Sequence, residues 1–228
     1  MAAKPRIVAL VPMRDNSERV PGKNYRPLAG RPLFHHILLT LAGCKHVDQV
    51  VIDTDSPTIK TGIASDFPNI MLIDRPQHLR GGEIPMNEIL LNDTSQFPAD
   101  YYLQTHSTNP LLQTATIEKA IGIFLKEVPE KDSLFGVTEL HTRLYDSAGK
   151  AINHNPTELL RTQDLPPVYE ENSCIYIFSR QGLLKNGHRI GKSPIMFPVP
   201  REEAWDIDEA LDFQIVDFLM QRRLRVND

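Results

Sequence analysis

The stretch Ile7-Val8-Ala9-Leu10-Val11-Pro12-Met13-Arg14-Asp15-Asn16-Ser17-Glu18-Arg19-Val20-Pro21-Gly22-Lys23-Asn24 changes character midway, and that change sets the architecture. The run from Ile7 to Val11 is continuously apolar, as a strand covered on both faces must be; a half-exposed strand would alternate. The polar, basic segment from Arg14 to Asn24 then reads as a loop at the carboxyl end of that strand.

Outward from this unit the chain alternates strand and helix signals. Leu33, Ile37, Leu38 and Leu41 predict a helix over 32–41, and Gln49–Thr54 reads as a second strand. Helices are expected over 58–65 and 85–91, and strands over 70–73 and 101–105. Ile117, Ala120, Ile121 and Phe124 share one face of a predicted helix over Thr114–Glu127. Strands over 133–138 and 174–178 and a helix over 208–222 complete the pattern. Such alternation implies an α/β fold, a mostly parallel sheet flanked by helices. Ligands of open α/β sheets bind beyond the carboxyl ends of the strands, which directs attention to the loops at Arg14, Asp53, His106 and Asp206. The irregular stretch near 140–172 is too long for an ordinary connection and reads as an inserted arm.

The 228 residues suit a single domain, 1–228, with 41% hydrophobic and 24% charged residues. A net charge of −4 argues against a general nucleic-acid or membrane-surface binder. Cys44 and Cys174 are too few for a disulfide framework or a cysteine-built zinc site. The apolar run at the N-terminus is too short for a signal-peptide core and no stretch approaches a membrane span, so the expectation is a cytoplasmic protein. A G-x-S-x-G elbow is absent, neither cysteine sits in an activating motif, and His35 and His36 would point about 100° apart on a helix. Hydrolase and histidine-metal readings therefore fail.

Two constellations carry chemistry. Arg14, Arg19 and Lys23, with Ser17, Asn24 and Gly22, could offer a polyphosphate both cations and backbone N–H groups, although the sequence is no Walker A motif. By composition alone the segment reads first as a solvated loop with incidental charges. Asp206 and Asp208, at i and i+2 on an extended segment, point the same way and could share one Mg²⁺. Alternatively, Asp208 caps the following helix.

Pro12, Arg14, Ser17, Arg19, Pro21, Gly22, Lys23, Asn24, Leu28, Gly30, Pro32 and Leu33 resemble the opening signature of the acylneuraminate cytidylyltransferase family, which includes the CMP-sialic acid synthetases and is similar to the CMP-Kdo synthetases. Gln104-Thr105-His106-Ser107-Thr108-Asn109-Pro110-Leu111 resembles the family's Gln-Pro-Thr-Ser-Pro-Leu segment, with His106 where the family often carries glutamine. Asp206-Ile207-Asp208 resembles its Asp-Ile-Asp. The resemblance runs from Ile7 to Phe218 and implies a Rossmann-like nucleotidyltransferase fold and a homodimer with a dimerisation arm at about 139–172.

It further implies that Arg14 and Lys23 contact the phosphates of CTP and Asn24 lies near the nucleotide, with Ser17, Arg19 and Arg75 as further nucleotide contacts. Gln104, His106, Thr108 and Arg161 fall where an acidic sugar would bind, Arg161 as partner of its carboxylate with Lys192 and Arg201 as alternatives. Mg²⁺ would sit on Asp206 and Asp208, so that Arg14, Lys23, Asp206 and Asp208 form the catalytic set. The expected activity is transfer of CMP to a sialic-, nonulosonic- or Kdo-type sugar with release of pyrophosphate. Two rivals share these features: a metal-dependent glycosyltransferase, since Asp206-Ile207-Asp208 also fits D-x-D, and a non-catalytic nucleotide- or sugar-binding protein.

Overall fold

The computed structural model describes residues 4–227. Nine strands, β1 (Ile7–Met13), β2 (Pro27–Leu28), β3 (Arg31–Pro32), β4 (Gln49–Thr54), β5 (Met71–Asp74), β6 (Tyr101–Gln104), β7 (Ser133–Leu140), β8 (Val168–Phe178) and β9 (Pro194–Pro198), are found among the described residues. The helices are α1 (Leu33–Ala42), α2 (Pro57–Asp66), α3 (Met86–Gln96), α4 (Thr114–Glu127), α5 (Arg180–Asn186) and α6 (Ala210–Asn227).

Seven strands form one sheet in the order β5-β4-β1-β6-β8-β7-β9, and β2 and β3 pair separately. Within the large sheet β8 runs antiparallel to both neighbours, while the other pairings are parallel. The chain steps from β1 outward to β4 and β5, then returns to lay β6 on the other side of β1. The carboxyl ends of β1 and β6 therefore flank the topological switch point, where a crevice opens.

Two apolar layers cover the sheet. Ile7, Ala9 and Val11 point to one face and pack with Ile37, Leu41, Ile117 and Phe124 of α1 and α4. Val8 and Leu10 point to the other, with Leu90 of α3, Leu183 of α5 and the stacked rings of Tyr102 and Phe178. Each buried aliphatic or aromatic side chain contributes about 1.5–3 kcal/mol, so β1 anchors both layers.

A third cluster joins the two ends of the chain. Val20, Leu28 and Leu33, from the loop after β1 and its continuation, pack against Ile207, Phe213, Val216 and Met220 from the carboxyl end. This apolar contact draws the basic loop and the acidic segment onto one side of the sheet. Arg26 adds to it by stacking 4.6 Å from the centre of the Phe213 ring.

The irregular stretch is shorter than its sequence implied. β7 runs on to Leu140 and β8 starts at Val168, the two pairing as far as Leu140–Val168. Between them lie an isolated bridge, Tyr145–Ala151, and a single turn at Thr162–Asp164. Leu159, Ile152 and Tyr145 in this arm are exposed. Two elements had no clear signal in the sequence: α5, a short helix capped by Ser179, and β9, an edge strand flanked by prolines. Among the described residues no helix is long and apolar enough to cross a membrane.

Candidate active site

A cleft of about 790 Å³ opens over the carboxyl ends of β1 and β6. Arg14, Ser17, Arg19, Lys23, Asn24, Arg75, His106, Thr108, Asp206 and Asp208 all line it. Ten of the twelve positions singled out in the sequence thus meet in one place, leaving Gln104 and Arg161 outside.

The basic loop is held rather than loose. Asp15 accepts a short hydrogen bond from the Ser56 hydroxyl, and its backbone N–H donates to Asp55 at 2.8 Å, tying the loop to the turn after β4. The Asn24 amide donates to the Arg14 carbonyl at 2.8 Å and accepts from Ser107 at 2.7 Å, tying it to the loop after β6. Asn24 is thereby occupied with positioning its neighbours. Gly22 has φ 67°, and a Cβ there would lie 2.8 Å from the Tyr25 ring, so the turn leading into Lys23 requires glycine on two counts. Arg14 lies against Gly82, where a Cβ would come 3.0 Å from its guanidinium.

Lys23 reaches the acidic segment directly. Its Nζ donates to the Ile207 carbonyl at 2.6 Å and lies 3.9 Å from Asp208 Oδ1, while Arg19 donates to the same oxygen at 2.6 Å. Burial pulls the Lys23 pKa below its ordinary value, and the carboxylates of Asp206 and Asp208 oppose that shift. Ile207 is fully buried, leaving Asp206 and Asp208 on the cleft side. The segment is stitched to the loop after β6 by Ile207 N–H to the Thr108 carbonyl at 2.9 Å and by Asn109 to the Trp205 carbonyl at 3.2 Å. Glu203, nearly buried, accepts from Gln113 and Thr116 at the start of α4. A carboxylate suits that position of a helix, and it fixes the chain just before the acidic pair.

The capping alternative for Asp208 is answered by Asp212, whose carboxylate accepts from the backbone N–H groups of Asp208 and Glu209 at 3.0 and 2.7 Å. The Asp208 side chain is left to face Arg19 and Lys23. Asp206 is harder to place in a cation-free protein. Its Oδ1 is buried without a hydrogen-bond partner, and burial, joined by the repulsion of Asp208, raises its pKa. An orphaned carboxylate oxygen beside a second carboxylate fits a divalent cation. Among the described residues no group of three or more metal-ligating side chains surrounds it, so most of a cation's shell would come from phosphate oxygens and water.

Arg75 lines the cleft but is committed beneath it. It is 1% exposed and donates from Nε to Asp53 at 2.6 Å and from Nη2 to the Asp53 carbonyl at 3.2 Å. Asp93 adjoins this pair, and burial, reinforced by Asp53, holds its carboxyl protonated well above the usual range. Only Nη1 of Arg75 lacks a protein partner.

Gln104 is fully buried and does not line the cleft, bonded instead to His106 and Arg189. Arg161 lies on the arm, largely exposed and paired with Asp164 at 2.7 Å. A second cleft of about 530 Å³ backs onto the first, sharing Asp206 and Asp208 as a common wall and lined also by Asn172, Arg201 and Trp205. Arg201, an alternative to Arg161, lines this cleft; Lys192 does not. Sequence reading missed Glu203 and Arg189, whose roles depend on contacts between distant segments that no local pattern encodes.

The cytidylyltransferase family matches residues 8–195. Among known proteins, the post-translational flagellin modification protein B of Campylobacter coli is 28% identical, over 95% of this chain and 96% of its own. The CMP-N,N'-diacetyllegionaminic acid synthase of Campylobacter jejuni is 27% identical over 94% of each. Among solved structures, a CMP:2-keto-3-deoxy-manno-octonic acid synthetase complexed with CTP shares the fold, with a TM-score of 0.69 at 16% identity over 96% of this chain and 99% of that one.

Proposed function

The chain belongs to the cytidylyltransferase family, and from that premise we propose that it couples CTP to an acidic keto-sugar of the sialic, legionaminic or Kdo type, releasing pyrophosphate. The observation that carries this reading is the meeting of Lys23 with the Asp206–Asp208 segment across one cleft. Cations on one wall and carboxylates on the other suit a bound triphosphate, whose oxygens would pair with the former, while the latter would hold a divalent cation that offsets its charge. The names of the similar synthases, for a legionaminic and a ketodeoxy-octonic acid, support the sugar class.

In the proposed reaction the sugar's anomeric hydroxyl oxygen forms a bond to the α-phosphorus of CTP. The bond from that phosphorus to its bridging oxygen breaks, and pyrophosphate departs with the electron pair. The hydroxyl proton is lost to the medium or a bound base. Arg14 and Lys23 hold phosphate oxygens and balance the charge that builds on the leaving group. Lys23 is already fixed by the Ile207 carbonyl, so little reorganisation is needed. Asp206 and Asp208 would hold Mg²⁺, which when bound supplies charge neutralisation at the phosphates. The sugar approaches at the carboxylate wall, where Thr108 and His106 lie, with the second cleft giving it room.

The exposed apolar side chains of the arm support a homodimer in which each arm, with Arg161, reaches the neighbouring sugar site. Incubation with each nucleoside triphosphate and a panel of 2-keto-3-deoxy sugar acids tests the activity. Pyrophosphate appearing only with CTP and one class of acid is the expected result. Consumption of a nucleotide sugar instead would favour the glycosyltransferase reading, and CTP binding without turnover the non-catalytic one.

A further inference from the structure

Behind the cleft lies a chain of polar contacts that the proposed reaction does not use. Arg189, in the segment between α5 and β9, is only 13% exposed at its side chain. Its guanidinium stacks 3.6 Å from the centre of the Tyr176 ring, and Nη2 lies 3.9 Å from Glu171 Oε1. Glu171 in turn accepts from the Tyr176 hydroxyl, and the Arg189 backbone N–H donates to Asn87 at 3.3 Å. So held, Nη1 of Arg189 donates to Gln104 Oε1 at 2.7 Å, and Gln104 Nε2 lies 2.8 Å from Nε2 of His106.

The direction of this chain follows from what each group can do. A guanidinium has donors and no acceptor, so the Gln104 oxygen must face Arg189 and its amide NH₂ must face His106. An NH₂ group donates, so His106 Nε2 must accept with its lone pair, and the ring proton must sit on Nδ1. A protonated imidazole would press an N–H against an N–H at 2.8 Å. Burial, with the nearby cations Arg189 and Lys23 adding to it, agrees by pulling the His106 pKa down to about 3. Among the described residues, Arg189 and Lys23 are the charged groups that act on His106, and both oppose protonation. His106 lines the cleft, and no hydrogen bond engages its Nδ1 among the described residues.

We propose that Arg189 is a positioning residue that, through Gln104, holds His106 as the uncharged Nδ1–H tautomer, so that the cleft presents a hydrogen-bond donor and no base to an oxygen of the bound substrate. That the oxygen belongs to the acidic sugar rests on the reading above. The tautomer itself does not. This arrangement also gives buried Gln104 a role it cannot have by touching the sugar. His106 then does what a glutamine amide could do at the same place: it donates without carrying charge.

The test is two-bond ¹H–¹⁵N spectroscopy of the full chain labelled at histidine, without substrate, the His106 signal being assigned by its loss in His106→Asn. The expected spectrum shows Nδ1 protonated and Nε2 unprotonated, unchanged from about pH 8 to about pH 5, across the range where an ordinary histidine titrates. In Arg189→Met, Gln104 is free to turn over, and His106 is expected to lose its single tautomer, with Nδ1–H and Nε2–H forms both present, while burial still keeps the ring uncharged. In Gln104→Glu, of nearly the same shape, a carboxylate faces Nε2 and is expected to draw a proton there, giving an Nε2–H signal and raising the His106 pKa. An Nε2–H tautomer or ordinary titration in the wild type overturns the proposal. An unchanged tautomer in folded Arg189→Met overturns the role given to Arg189. Should that variant not fold, Gln104→Glu decides, and a His106 that stays unprotonated there overturns the proposal. Because no substrate enters the measurement, its failure leaves the cytidylyl-transfer reading standing, and the failure of that reading leaves this one standing.

Discussion

Lys23 Nζ and Asp208 Oδ1 stand 3.9 Å apart, although one follows the first strand and the other precedes the last helix. The apolar packing of Val20 and Leu28 on Ile207 and Phe213 brings them together, and the bond from Lys23 to the Ile207 carbonyl, spanning 184 positions, fixes the approach. The polar site is thus assembled by a small hydrophobic cluster beside it.

Replacing Lys23 with methionine keeps the aliphatic stem and removes the charge. Pyrophosphate release is expected to fall by about 10²–10³-fold, as when a single preorganised donor to developing charge is lost. The chain should stay folded with a modest fall in thermal midpoint for the lost bond to the Ile207 carbonyl, which a melt in parallel with the assay checks. Turnover near wild type would remove Lys23 from the reaction.

Asp206→Asn separates function from folding. Burial raises the pKa of Asp206 above 3.8 in the folded chain, so its contribution to stability is fully present below that value and is lost as pH rises through the raised one. At neutral pH without a divalent cation the carboxylate opposes folding, and Asp206→Asn is expected to raise the melting midpoint. Each kcal/mol corresponds to about 2–4 °C at this size. The same variant should abolish transfer and, if Mg²⁺ sits at the acidic pair as proposed, lack the stabilisation that Mg²⁺ is expected to give the wild type. Melts at neutral pH with EDTA and with Mg²⁺ read all of these effects.

The buried trio Asp53, Arg75 and Asp93 predicts an alkaline limit to stability. Burial first, and Asp53 second, push the Asp93 pKa to about 9, so its stabilising contribution is present in full below the ordinary 3.8 and fades as pH rises toward that elevated value. Asp93→Asn, which keeps a hydrogen-bonding side chain without the proton, should flatten the fall in stability above neutral pH. Asp53→Asn should instead cost about 3–5 kcal/mol by leaving the Arg75 guanidinium buried and unpaired. Urea unfolding as a function of pH distinguishes the two.

Arg161 is absent from the cleft of its own chain, which makes it a probe of the proposed dimer. If its site is the neighbour's, Arg161→Ala and Lys23→Met chains, each strongly impaired alone, should regain activity when mixed and re-associated, because a mixed dimer holds one site with both residues intact. Sedimentation checks the association. A monomer at assay concentrations, or no recovery on mixing, would confine Arg161 to its pair with Asp164.

Most of the sheet was legible because its signals are local. Ile7–Val11 and Gln49–Thr54 are short apolar or β-branched runs bounded by polar turns, and Thr114–Glu127 shows helical spacing along its whole length. The amino end of β8 was not, because Tyr169, Glu170 and Glu171 are polar and take strand form only by pairing with β7. The cleft residues could be picked out one by one, since cations after a first strand and carboxylates two apart are recognisable types. Their commitments could not. Arg75 is spent on Asp53 and Gln104 on Arg189, and both partnerships join segments far apart in the chain. Asp212 took the capping role open to Asp208, a choice that depends on the conformation of the segment before α6.

The most direct measurement is a crystal structure of the protein with Mg²⁺ and a CTP analogue whose α–β bridge cannot be cleaved. The expected result is the phosphates against Arg14 and Lys23, the metal at Asp206 and Asp208, and Arg19 released from Asp208. A nucleotide bound elsewhere, or phosphates in the cleft with Asp208 still paired to Arg19 and no metal at Asp206, would contradict it.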